Sequence, residues 1–481
     1  MEIKAGHIPF LPEEEIHYEE FPLGADEEDV LLVPVLTEGQ LELVAREVRK
    51  NAQSILKQYS VMEIVDVIDR TIQLLLDRTS SYRQAAESWL PKITGYNDKM
   101  VRLSLTSYLK AFRKKELLKF LTEDFSNWSV LDDFQPRAKG GFSKAVSPNV
   151  ITHIWAGNVP GIPIWSLIAG LLVKAGNIGK VSSAEPLFAG LFARALAEID
   201  GEMAKCFAIV WWRGGDEAKE KVIGEEADIV VGYGNNSSLE SLRRRLPIRT
   251  RFIAYGHKVS FGVISRQSLQ ADKVKRLAAD LAYDVMRFDQ NGCYSPQTFF
   301  IQAGGKTSPQ DFAEMVAGEL RQLENRYPRR ELSIEESSTL SQWKQSEEIM
   351  GLSHDDHVLY TDSQGKWAVS YGQKHRALNT PLNRSVNIAS FDHIEEVIDR
   401  VTPLRDYLQT VGLACTPEEL FVWASLLAEA GVTRISSVGS MTYLEAGWHH
   451  DGRFNLLDLV NFVDIDLSAE DYSEQFASYI D

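Results

Sequence analysis

The sequence predicts an α/β protein built on parallel sheets, with two lobes behind a helical lead-in. Three observations carry this. Short apolar or β-branched runs alternate with helix-length segments between Ile151 and Ile264, a similar alternation returns less regularly from about residue 256 to 404, and 481 residues suffice for two domains of ordinary size. Strands separated by helices of that length make βαβ units, whose parallel sheet is covered on both faces.

Residues 1–30 are acidic and punctuated by proline, and are expected to form extended edge structure or an arm. From about Gln40 to Phe125, Leu, Val and Ile recur at three and four residues, as in LELVAREVRKNAQSILKQY and VMEIVDVIDRTIQLLLDR, which predicts helices. The runs ITHIWAG, NIGKVSS, KCFAIVWW, ADIVVGYG, TRFIAYG and VSFGVIS then predict strands, with helices such as IWSLIAGLLVKA and LFAGLFARALAEI between several of them. In the second series TFFIQAG, HVLYTD, KWAVSYG and PLNRSVNIASF predict strands, and VKRLAADLAYDVMRF and PQDFAEMVAGELRQLENRY predict helices. The expected division is a lead-in over 1–130, a first α/β domain over 131–255, a second over 256–404, and a C-terminal segment, 405–481, that returns to the first sheet.

Hydrophobic residues at 44% and charged residues at 25% exclude wholesale disorder and fibrous repeats. A formal charge of −17 is the wrong sign for a protein that lives on nucleic acid or anionic lipid, so neither is an expected partner. Three cysteines, Cys206, Cys293 and Cys415, are too few and too dispersed for a disulfide framework or a thiolate zinc site, and no metal centre is expected. The first residues lack a basic segment followed by an apolar one, and the longest apolar run, Val159 to Val173, is interrupted by Pro160 and Pro163. A cytoplasmic protein without a membrane span is the expectation.

Chemistry-bearing residues fall at predicted junctions. Cys293, in FDQNGCYSPQ, sits between a long helix and an apolar strand, beside Gly292, where a thiol is able to face a ligand. Cys206 and Cys415 have no such context. Asn158 lies in a Gly-Asn-Val-Pro turn between strand and helix, where its amide either donates to developing negative charge or simply satisfies the turn. Lys180, Ser182 and Ser183 follow a strand at the carboxyl edge of the sheet, the edge where α/β sheets bind ligands. Gly234 and Asn235 open a helix after VVGY, a weak nucleotide signal that matches neither GxGxxG nor a Walker loop. Arg243, Arg244, Arg245, Arg249 and Arg251 form a basic cluster suited either to a phosphomonoester or to solvated dipole contacts at a helix end.

In order, AGNVPG, GKVSS, VVGYG, AYGHKVS, NGCYSPQ, PLNRSVNI and GVTRISSVG resemble the LuxC-like acyl-CoA reductases, the fatty-acid reductase branch of the aldehyde dehydrogenase superfamily, over roughly residues 140–465. The resemblance implies an aldehyde dehydrogenase-like fold, with a cofactor-binding domain and a catalytic domain carrying a nucleophilic cysteine in the cleft between them. It also implies reduction of a fatty acyl thioester to the aldehyde with NADPH. Cys293 matches the nucleophile and Asn158 the oxyanion-hole Asn. Lys180 matches the lysine at the adenosine ribose, with Ser182 beside it. Ser183 stands where NAD-preferring members often carry a Glu, and a neutral residue there would not repel a 2′-phosphate. Gly234 and Asn235 fall on a Gly-Ser pair near the pyrophosphate, the Asn being a departure. Ala254 replaces the Glu that activates water in oxidative members, and no Glu near PLNRSVNI matches the one that binds the nicotinamide ribose.

The implied partners are an acyl-CoA or acyl-carrier substrate and an acyl-transferring protein, with a homo-oligomer as the expected assembly. His257, in the GHK stretch, is a candidate proton donor or a structural histidine. His449 and His450 have no spacing partner and are assigned no role. Two other readings stay open: an NAD(P)-dependent aldehyde or semialdehyde dehydrogenase, disfavoured by Ala254, and a non-catalytic acyl-binding subunit, disfavoured by Cys293 and Asn158.

Overall fold

The computed structural model describes residues 1–23, 28–270, 272–373 and 378–479. They form two units: residues 1–94, 105–256 and 445–481 make the first, and 95–104 with 257–444 make the second.

The first unit is centred on a five-stranded parallel sheet in the spatial order Arg251–Tyr255, Ile229–Tyr233, Val150–Ile154, Gly176–Lys180, Phe207–Val210. The helical lead-in consists of Glu38–Ser54, Val61–Leu76, Ser81–Thr94, Asp98–Lys110 and Lys114–Asp124, residues 95–104 of it falling in the second unit. The first two start at capping boxes, Thr37 with Gln40 and Ser60 with Glu63, which satisfy the orphan amides of the first turn. Leu41, Val44 and Val48 of the first helix pack on Val150, Ile178 and Val210 of the sheet. The apolar run after Asn158 becomes the helix Pro163–Leu172, buried along its whole length, with Pro163 at its first turn where no amide partner is lost. The acidic arm is more ordered than expected: Glu2–Lys4, Asp29–Val35 and His17–Leu23 form a sheet in that order, residues 24–27 lying outside the described residues. A further small sheet joins Phe142–Val146 to Asn461–Ile465 and Gln135–Pro136.

The second unit holds a seven-stranded sheet in the order His357–Thr361, Ala368–Gly372, Ser385–Phe391, Pro296–Gln302, Val259–Ile264, Leu408–Ala414, Arg434–Ser437. His357–Thr361 pairs antiparallel with its neighbour and the other pairings are parallel. Successive side chains of the central strand go to opposite faces: Phe299 and Ile301 meet the helices Val274–Met286 and Pro309–Arg326, while Phe300 meets Ile394–Val401 and Pro417–Glu429. Each fully buried aromatic of this kind contributes about 1.5–3 kcal/mol by leaving water.

The expected boundary at 405 moves. Leu408–Ala414 and Arg434–Ser437 pair within the second sheet, and the chain returns to the first unit at Glu445. The physical reason is that an apolar strand followed by a helix reads the same whichever sheet it joins. Among the described residues, no helix is long and apolar enough to cross a membrane.

Candidate active site

In the first unit, strand order reverses between Val150–Ile154 and its neighbour Ile229–Tyr233, which follows it only after two intervening strands. Ligands of open α/β sheets bind at such a switch point, outside the carboxyl ends of the strands. Ile154 is in register with Lys180 on one side and Gly232 on the other. The Asn158 turn, Lys180 with Ser182 and Ser183, and Gly234 with Asn235 are therefore gathered at one sheet edge.

The Asn158 turn is fixed from both sides. A Cβ on Gly157 would lie 2.8 Å from the Ser182 side chain and 2.9 Å from the Glu185 amide nitrogen, so only glycine lets the two segments approach this closely. Glu185, 1% exposed, accepts from the Leu187 and Phe188 amides at 2.9 and 2.8 Å and from the Gly161 amide, and burial raises its carboxyl above the ordinary Glu range. Asn158 itself is exposed within its unit.

Lys180 is 9% exposed and burial lowers its ammonium from the usual lysine range. Glu220, the carboxylate that biases it, is itself paired with Arg245 at 2.5 Å. The Ser182 hydroxyl accepts from the Ala184 amide and the Ser183 hydroxyl from the Trp211 indole at 3.1 Å, leaving the Ser183 proton able to donate outward. Gly234 has open space where a side chain would stand. Asn235 caps the helix Asn236–Arg245, its Oδ1 accepting from the Ser238 amide at 2.9 Å, which accounts for an Asn at this position.

Sequence reasoning missed an aromatic ladder on the same edge. Tyr233 and Tyr255 end adjacent strands with ring centroids 4.9 Å apart, and His450 stacks on Tyr255 at 4.1 Å and 10°. No spacing signal links residue 450 to either tyrosine. The arginine cluster is spent mostly inside the protein: Arg245 pairs with Glu217 and Glu220, Arg249 donates to the Glu225 carbonyl, and Arg251 reaches the Asp458 carbonyl and Asn461.

In the second unit, Cys293 lies between the helix Val274–Met286 and the strand Pro296–Gln302, as its sequence context predicts. The approach is strained. Phe288, Asp289 and Gln290 all have left-handed backbone, with φ of 52°, 49° and 64°, and so do Leu382, Asn383 and Arg384, with φ of 61°, 55° and 67°. Left-handed geometry costs a residue other than glycine about 1–3 kcal/mol, and it persists only where surroundings over-determine it. Here the two runs hold each other. The Arg384 Nε donates to Asp289 Oδ1 at 2.7 Å, with both side chains 1% exposed, and the Asn383 amide donates to the Asp289 carbonyl at 3.0 Å. The Gln290 amide group donates to the Pro296 and Ser385 carbonyls and accepts from the Ser385 amide at 2.8 Å. Arg384 also pairs with Glu324 at 2.6 Å. PLNRSVNI thus supplies the buttress of the cysteine loop, as well as a strand.

At the thiol, the Gln409 side-chain N–H donates to Cys293 Sγ at 3.4 Å, and the Ser260 hydroxyl donates to the Cys293 carbonyl at 2.9 Å. A Cβ on Gly292 would lie 2.5 Å from the buried Tyr294 ring, so glycine is required there. Gln409 is the second residue of the strand Leu408–Ala414, one more residue that sequence reasoning passed over. An N–H aimed at sulfur favours the thiolate, the nucleophilic form. Burial pushes the other two thiols up, Cys206 to about 12 and Cys415 to about 11. His257 is exposed at the start of the second unit, and Ala254 is the penultimate residue of the edge strand Arg251–Tyr255 in the first.

The comparisons agree with this architecture. A structure of NADP-dependent glyceraldehyde-3-phosphate dehydrogenase from Bacillus halodurans superposes with a TM-score of 0.70 at 12% identity, covering 94% of this chain and 96% of that one. An NAD-dependent benzaldehyde dehydrogenase from Corynebacterium glutamicum gives 0.71 at 13%, covering 94% of each. The fold is aldehyde dehydrogenase-like. In sequence the chain is similar to long-chain acyl-protein thioester reductase 2 of Photobacterium leiognathi, 25% identical over 435 residues, 90% of this chain and 86% of the relative. It is also similar to the long-chain acyl-protein thioester reductase of Aliivibrio fischeri, 26% identical over 396 residues, 80% of this chain and 78% of that relative. The model of the acyl-CoA reductase (LuxC) family matches residues 56–462, and the chain belongs to that family.

Proposed function

We propose that this protein reduces a fatty acyl thioester to the aldehyde through an acyl group carried on Cys293, with NADPH as the reductant. The observation that carries the reading is the Cys293 loop, a strained and doubly buttressed turn that presents a thiol to the Gln409 N–H. Building such a loop around an inert cysteine would spend stability for nothing.

In this reading Cys293 Sγ attacks the acyl carbonyl, the Asn158 amide donates to the oxyanion, and the thiol of the donor leaves. Gln409 holds the sulfur in its anionic form before attack and again as the aldehyde departs. Bound NADPH would supply the hydride. The residues present fit a nicotinamide dinucleotide: Lys180 brings a largely buried ammonium toward ribose hydroxyls, Gly234 leaves room for close backbone approach, and the helix Asn236–Arg245 offers its amino end. Ser183, which is neutral, accommodates a 2′-phosphate where a carboxylate would repel it. Ala254 withholds the base that would activate water, so the acyl group is kept from hydrolysis to the acid. The relatives are named as acyl-protein thioester reductases, which supports an acylated partner protein as a donor alongside acyl-CoA.

Incubation with a panel of acyl-CoAs and NADPH, followed by quantitation of aldehyde and acid, tests this reading. Aldehyde formed in proportion to NADPH consumed is the expected result. Acid release without NADPH consumption, or turnover only from aldehyde and NAD⁺ toward the acid, would overturn it.

A further inference from the structure

The first unit contains a cavity of about 740 Å³ that no part of the proposed reaction uses, at the foot of the N-terminal arm and within the 300–1,000 Å³ usual for small-molecule sites. About half of its wall is apolar, formed by Ile3, Ile8, Leu11, Leu32, Pro34 and Leu191. One cation is available inside. Arg194, on the helix Phe188–Ile199, lines the cavity, is largely buried, and has as its one hydrogen bond among the described residues a 3.4 Å contact to the Gly6 carbonyl. Burial lowers its guanidinium from the usual arginine range, although arginine stays protonated at any physiological pH.

Among the described residues no carboxylate, Glu2 of the cavity wall included, forms an ion pair with Arg194. Lys4 and Glu13, both lining residues, neutralise each other in an ion pair. Glu198, one helical turn beyond Arg194, accepts from the Tyr82 hydroxyl at 2.8 Å and forms no ion pair with Arg194 among the described residues. His7 is pushed down to about 4 by burial and adds no charge near neutrality. The Tyr18 hydroxyl, also at the cavity, makes no hydrogen bond among the described residues and stands within electrostatic range of Arg194.

We propose that this cavity is a binding site for a monocarboxylate with a hydrocarbon chain, the carboxylate on the Arg194 guanidinium and Tyr18 hydroxyl and the chain along the apolar wall. A planar guanidinium suits the fork of a carboxylate, and such charge-assisted contacts are the strong ones in a partly apolar setting. A polyanion such as a nucleotide or coenzyme A phosphate cluster would meet one free cation and the carboxylate of Glu2, and is disfavoured. The inference is independent of the chemistry assigned to Cys293.

A dodecanoate bearing a photoreactive diazirine near its tail, irradiated with the full-length protein and followed by peptide mass spectrometry, tests the site. Labelling is expected on peptides containing Ile3 to Leu11, Leu32 to Pro34 or Leu191. Dodecanoate should suppress it, and dodecanol, lacking the charge, should compete at least tenfold more weakly, the scale of a lost charge-assisted contact. Arg194→Met should cut labelling of these peptides at least tenfold without changing labelling elsewhere, and Cys293→Ala should leave it unaltered. Absence of label on these peptides, or equal competition by dodecanol in the unmodified protein, would overturn the proposal even if Arg194→Met fails to fold.

Discussion

The turn carrying Asn158 is held by a glycine and one buried carboxyl, whereas the loop carrying Cys293 is held by two runs of left-handed residues locked through a buried ion pair. The first device is local: Gly157, Gly161, Ser182 and Glu185 lie within thirty residues at one sheet edge. The second is long-range, since Asp289 and Arg384 are 95 residues apart in sequence. The difference teaches where each element is vulnerable. A local turn bent by one substitution leaves the sheet beneath it intact, while a strained loop that loses its buttress releases its strain into the surrounding core.

The largest effect is expected from breaking the buttress. Arg384→Met leaves Asp289 charged and buried, at a cost of about 3–5 kcal/mol, seen as a lowered denaturant midpoint with acylation of Cys293 lost in parallel. Adding Asp289→Leu should recover part of that stability. Recovery of nothing would show that the ion pair is not what holds the loop.

Asn158→Ala should leave the melting temperature nearly unchanged and slow turnover by roughly 10²–10³-fold, the effect of one lost oxyanion donor. A loss of about tenfold or less with a lowered melting temperature, on the scale of an ordinary ~1 kcal/mol substitution, would make Asn158 a turn residue only. Gln409→Leu removes the N–H at the thiol and should slow iodoacetamide alkylation of Cys293 near neutral pH by about tenfold, since hydrogen bonds to charged groups contribute about 1.5–3 kcal/mol. Unchanged alkylation would reduce the 3.4 Å contact to packing.

The smallest effect concerns the cofactor. Ser183→Glu should shift the ratio of kcat/KM values from NADPH toward NADH by roughly fivefold, because a carboxylate repels a phosphate by about 1 kcal/mol at 4 Å in water-like surroundings. No shift would remove Ser183 from the ribose site.

These contrasts also explain what the sequence made legible. The strands of both sheets are readable because fully buried parallel strands carry short continuous apolar runs, as in Phe207–Val210 of the first and the Phe299 to Ile301 stretch of Pro296–Gln302 in the second. Cys293 stood out through Gly292 and its junction, and the first-unit residues through turn chemistry and the carboxyl-edge rule. What escaped was pairing at a distance. Single charges at 289 and 384, a glutamine at 409 and a histidine at 450 carry no local pattern, and only the fold brings them to their partners. The C-terminal boundary escaped for a related reason, since periodicity identifies a strand without naming its neighbour.

The central claim is that the built loop at residue 293 carries the acyl group. The direct measurement is mass spectrometry of the unmodified protein incubated with a long-chain acyl-CoA in the absence of NADPH, with the adduct localised by proteolysis. An acyl adduct on the peptide containing Cys293, removed by Cys293→Ala and retained in Cys206→Ala and Cys415→Ala, is the predicted result. An adduct on Cys206 or Cys415, or undiminished aldehyde formation by Cys293→Ala, would contradict it.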